Sequence, residues 1–184
     1  MNTKFYEEEC LPRVKRIAEN LDFLCENSVD KDELESRIEE IETEWRDELY
    51  DYISENDIDD INPYDLTNED LIYEISVCGI EIEEAVRDEY DELKEQLKEV
   101  EDAGASDLYE YFADCLDVEY TIDSRGDYLG VCVWVCVGGP GIWVDTRERA
   151  VKLAWGGDRA EWGINSDTAD AIDGIFEEYY NCLK

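Results

Sequence analysis

Histidine is absent from this 184-residue chain, and lysine and arginine together number 16 against 52 aspartates and glutamates. Without an imidazole there can be no Ser-His or Cys-His dyad, and zinc sites that need a histidine ligand are excluded. No apolar run reaches the roughly 18 residues that a membrane-crossing helix needs. No Lys-Ser/Thr follows the Gly-Gly-Pro-Gly of residues 138–141, so that turn lacks the groups of a phosphate loop. The acids from Asp57 to Asp60 lack the glycine at the sixth position of a calcium loop. The seven cysteines (Cys10, Cys25, Cys78, Cys115, Cys132, Cys136 and Cys182) are odd in number, widely spaced and not preceded by a secretory leader. They read as reduced thiols of a cytoplasmic protein rather than a disulfide framework. Cys132 and Cys136 flank Trp134 on a predicted strand, where core packing is expected. Neither a metal nor a cofactor is expected. Paired carboxylates are inevitable among so many acids and carry no catalytic signal. The chain reads as a non-enzyme.

What is present suffices to fold. The chain is 43% hydrophobic, with five Trp, twelve Tyr and regular Leu, Ile and Val spacing. That argues against disorder, the ordinary explanation for a net charge of −36. The charge is uneven. Residues 1–117 hold 40 acids and 10 bases, net −30, whereas residues 118–184 hold 12 acids and 6 bases, net −6. The expected organisation is an acidic helical region over 1–117 and a sheet with a C-terminal helix over 118–184, together forming one compact unit.

Periodicity places the elements. From about Thr3 to Asn27, Cys10, Val14, Ile17, Leu21 and Leu24 recur at helical steps, and Pro12 sets a helix start near Leu11 or a kink. Asp30 caps a second helix with Glu33 as capping-box partner. Its stripe is Leu34, Ile38, Ile41, Trp45, Leu49 and Tyr52, narrow enough for a hairpin with the first helix and compatible with a homodimer. A polar break with Pro63 follows, then a short helix from a Thr67 cap to Gly79, and a long one from about Ile80 to Asp102. Ser106 caps a last short helix. After Leu116 the period becomes that of strands. Val118–Ile122, the doubly apolar Tyr128–Val137, Ile142–Thr146 and Arg149–Trp155 predict an antiparallel meander of about four strands. Tyr128–Val137 should be its central strand. Trp155–Gly163 reads as a loop. Ser166 caps a helix that covers the sheet through Ala169, Ile172, Phe176 and Tyr179. The fold class is α+β.

The stretch from Asp47 to Val86 runs forty residues without a lysine or arginine and holds fourteen acids. Carboxylates three or four residues apart lie about 5–6 Å apart on a helix face, a spacing near that of nucleic-acid phosphates. Solvated helix faces normally interleave cations, and this stretch has none. The expected partner-binding residues are Asp47, Glu48, Asp51, Glu55, Asp57, Asp59, Asp60, Asp65, Glu69 and Asp70, with Tyr50, Tyr52 and Tyr64 to stack on a partner's arginines. Nucleic acid and anionic membrane would be repelled, so the expected partner is a basic nucleic-acid-binding protein. Two other readings use the same charge: an immunity-type protein that neutralises a basic toxin or enzyme, and adaptation to high salt.

In these acidic runs the chain resembles phage and mobile-element anti-defence proteins, the antirestriction and anti-CRISPR DNA mimics. The segment GGPGIWVDT…VKLAWGGDRAEW (Gly138–Trp162) also resembles small phage-encoded proteins. The resemblance implies inhibition of a Cas nuclease or restriction enzyme by occupying its nucleic-acid site, in the cytoplasm of a phage's host. It carries over no catalytic residue.

Overall fold

In a computed structural model that describes residues 6–27, 30–58 and 61–184, two separate cores account for the chain. One compact unit combines the segments before residue 30 and after residue 98; residues 30–98 form the other. The segments on either side of residues 30–98 therefore group with the sheet rather than with the rest of the acidic region. The apolar faces of the first and last segments match each other, whatever their separation in sequence.

In the first unit, a π-helical turn (Tyr6–Cys10) leads into α1 (Leu11–Glu26), with Pro12 in its first turn. A proline is tolerated there because its missing N–H would have no intrahelical partner. Strands β1 (Asp117–Ile122), β2 (Tyr128–Cys136), β3 (Gly141–Asp145), β4 (Ala150–Trp155) and β5 (Asp158–Gly163) form one antiparallel sheet in the order β1-β2-β3-β4-β5. Helix α6 (Ser166–Cys182) follows. Val131, Val133, Val144, Val151 and Leu153 share a core with Val14, Ala18 and Leu21 of α1 and with Ile172 and Phe176 of α6. Each of these strand residues is separated from the next on its strand by one position, so one face of the sheet is covered.

Several expectations are corrected. The segment read as a loop contains β5, so the sheet has five strands. Its sequence, DRAEWG, carries one buried residue, Ala160, as an edge strand with a single covered position does. Gly156, at φ +59°, makes the tight turn that pairs Trp155 with Asp158. β2 is second in the sheet rather than central, and Leu129 and Val137 are exposed. Its second face is open, with Cys132, Trp134 and Cys136 only half-buried and the Trp134 and Trp143 rings 4.8 Å apart. Partial burial, with Asp145 and Glu119 adding, still pushes the Cys132 thiol up to about 11. Tyr179 is exposed instead of facing the sheet. In the β1–β2 turn, Asp123 accepts from the backbone N–H groups of Arg125 (2.7 Å) and Asp127 (3.0 Å). These donors, that of Asp127 foremost, hold its carboxyl below the usual range.

The second unit consists of α2 (Lys31–Glu55), a 3₁₀ turn (Pro63–Asp65), α3 (Asn68–Cys78) and most of α4 (Glu84–Ala103). Ile38, Ile41, Trp45, Leu49 and Ile53 of α2 are buried with Leu71 and Ile75 of α3 and Tyr90 of α4. The stripe of α2 is thus filled by α3 and α4, and the expected hairpin with the first helix gives way, because the stripe of α1 belongs to the other core. Asp30 caps α2 by accepting from Asp32 N–H, Thr67 caps α3 through Asp70 N–H, and Gly79 ends α3 at φ +71°. Two expected caps move by one residue: Asp107, not Ser106, caps α5 (Leu108–Ala113), and Asn165 precedes α6. Among the described residues, no helix is long and apolar enough to cross a membrane.

Candidate partner-binding surface

One arginine organises the acidic unit. Arg46, part-buried on α2, donates to the carbonyls of Pro63 (2.5 Å) and Leu66 (3.1 Å) and to Asn68 Oδ1 (3.0 Å). The fork of the guanidinium suits it to several acceptors at once. Asn68 in turn donates to Glu42 Oε1 (2.5 Å), which also accepts from the Tyr90 hydroxyl at 2.8 Å. Burial, then the Glu42 carboxylate, raises the Tyr90 pKa. The network ties the polar segment before α3 to the flank of α2. The last cation before the acidic stretch is therefore turned onto backbone oxygens.

Arg37 pairs with Glu89 (2.8 Å) and Glu40 (3.0 Å), and Lys94 lies 3.9 Å from Glu42. No described cation is ion-paired with a described acid between residues 47 and 86. Asp47, Glu48, Asp51 and Glu55 are all exposed on the last turns of α2. At about 100° per residue they fall within an arc of roughly 100° on the side away from the apolar stripe. They sit at the negative end of the helix dipole, where cations are normally preferred, and no basic residue lies in that last turn.

The aromatic residues divide. Tyr50 and Tyr64 are 52% and 53% exposed, with ring centroids 6.3 Å apart. The Tyr64 hydroxyl donates to Asp47, and that carboxylate raises the Tyr64 pKa. These three residues come together as expected. Tyr52 does not join them: it is half-buried, since two helical positions carry it roughly 200° round from Tyr50, back toward the apolar stripe. Tyr73, at 65% exposure, is more open than any of them and lies on α3.

The other predicted acids scatter along the segment. Asp65 accepts from Asn62 Nδ2 at 2.7 Å. Glu69 and Asp70 occupy the first turn of α3, where acids complement the helix dipole, and Asp70 also accepts from the Thr67 hydroxyl. Their presence has a local structural cause. Asp59 and Asp60 lie outside the described residues. Asp57 has φ +51° directly after α2, and the Ile58 N–H bonds to the Ile53 carbonyl at 3.1 Å. That is a Schellman ending with a left-handed residue in the place glycine usually takes. Asp57→Gly is accordingly expected to raise the stability of this unit by about 0.5–1 kcal/mol, checked by urea unfolding. A lower midpoint would refute the assignment.

Sequence reasoning missed Arg46 and Asn68, whose partners lie on other elements. Among the described residues, no group of three or more Cys, Asp or Glu is arranged to hold a metal ion. No protein-family model matches the chain, and neither a curated protein nor a solved structure matches it.

Proposed function

We propose that the unit of residues 30–98 stands in for a nucleic-acid backbone and blocks the basic binding cleft of a defence nuclease, a Cas nuclease or a restriction enzyme. The observation that carries this reading is the row of exposed, cation-free carboxylates on the last turns of α2. Two cations of the unit are engaged away from this row: Arg46 with backbone oxygens, Arg37 with Glu40 and Glu89. An acid row with no internal counter-charge retains its full attraction for a foreign cationic groove. Lysines and arginines of the nuclease would replace their phosphate partners with these carboxylates, with no covalent chemistry.

Such a complex releases counterions as DNA binding does, so its affinity depends steeply on salt. With about four charge contacts, one for each carboxylate of the row, affinity is expected to fall roughly a hundredfold between 50 and 200 mM salt. The test titrates the protein into a nuclease–DNA complex at both salt concentrations and follows DNA release. Stoichiometric, salt-sensitive displacement supports the reading. A ternary complex with DNA retained, or salt-independent binding, overturns it.

A further inference from the structure

Beside the acid row, the end of α2 borders a cleft of about 380 Å³. Its walls are apolar where Ile53, Ile58, Ile61 and Pro63 meet, and Tyr50 closes one side. Asp57 lines the same cleft, held there by the backbone turn that ends the helix. Tyr64 packs against Tyr50 from outside and is itself anchored to Asp47. The site therefore combines an open cleft with a partly apolar wall, an exposed aromatic face and one carboxylate, Asp57, in its lining. The carboxyl end of α2 adds the partial negative charge of its dipole.

We propose that this cleft reads a single arginine side chain from the basic partner, an assignment that rests on the nucleic-acid stand-in reading above. The charge selects a cation, and no described cation of the chain lies among the residues that line the cleft. The isoleucine and proline side chains on one part of the wall give the methylenes of a long side chain a surface to lie on, while the charged head reaches the polar part of the cleft. The aromatic wall selects the head. A guanidinium is planar and weakly hydrated, stacks on a tyrosine face and meets a carboxylate with two parallel hydrogen bonds. An ammonium is compact and strongly hydrated and loses more on leaving water. Because Tyr64, whose ring lies beside that of Tyr50, is already bonded to Asp47, the aromatic wall loses less side-chain freedom on binding. The acid row thus supplies long-range attraction, and the cleft supplies a fixed point of register along the partner's groove.

The experiment uses the full chain labelled with 3-fluorotyrosine and two blocked pentapeptides, Gly-Gly-Arg-Gly-Gly and Gly-Gly-Lys-Gly-Gly. Fluorine resonances of Tyr50 and Tyr64 are expected to move saturably, with the arginine peptide bound roughly three- to fivefold more tightly than the lysine peptide. Tyr50→Leu is expected to keep the fold and abolish that preference. Equal response to both peptides, shifts that bypass Tyr50 and Tyr64, or a preference that survives Tyr50→Leu would each overturn the assignment. The outcome separates from that of the DNA-displacement test. An arginine preference without DNA displacement leaves the cleft standing and removes the stand-in reading. Displacement without the preference does the reverse.

Discussion

With Asp47, Asp51 and Glu55 all changed to lysine, affinity for the basic partner is expected to drop on the order of a thousandfold, about 4 kcal/mol. The loss has two sources: favourable pairs vanish, and like charges then face one another across the interface. Folding should survive. All three residues are exposed, and none is ion-paired with a described cation. Lysines at the end of a helix also complement its dipole and relieve self-repulsion. The one bond lost is that from Tyr64 to Asp47. A control with Asp114, Glu177 and Glu178 changed to lysine alters net charge equally, at exposed positions of the other unit. Competition assays on both variants, with helical content measured in parallel, decide the point. Equal losses in both would mean that overall charge matters and the row on α2 does not.

The second large effect concerns stability. Arg46→Met is expected to destabilise the helical unit by roughly 3–5 kcal/mol, because three acceptors lose a charged donor together. Trp45 is the sole tryptophan between residues 30 and 98, so 5-fluorotryptophan labelling gives that unit its own resonance. In a urea titration the Trp45 signal should lose its native position earlier, while those of Trp134, Trp143, Trp155 and Trp162 keep their midpoints. Arg46→Lys should recover only part of the loss, since one ammonium cannot reproduce the fork. An unchanged Trp45 midpoint would show that the polar segment before α3 is held by something else.

Local chemistry proved readable from residues alone, and partnership did not. The Asp30 and Thr67 caps, the Gly79 stop and the alternation of β1 as far as Tyr120 all depend on neighbours within a few positions, and the sequence displays them; past Tyr120 a register shift leaves Ile122 exposed. β5 escaped notice because an edge strand needs few apolar residues, and DRAEWG buries one. The hairpin expected of the first two helices failed for a different reason. A stripe on a helix states that something covers it but not what, and here α1 and α2 answer to separate cores. Within the candidate surface, exposure followed from helical phase for Asp47, Glu48, Asp51 and Glu55. The same phase argues against Tyr52. The left-handed backbone at Asp57 had no glycine to announce it, and the role of Arg46 depends on carbonyls about twenty residues away.

The division of the chain also bears on its birth at the ribosome. Residues 30–98 are contiguous and can close their core as soon as they emerge, whereas α1 must wait for β4, β5 and α6. At about 5–20 residues per second that wait is on the order of ten seconds, during which Val14, Ala18 and Leu21 have no partner. The nascent protein therefore spends its synthesis with a finished acidic module and an orphan amphipathic helix. That helix is the segment most in need of a chaperone until the carboxyl end arrives.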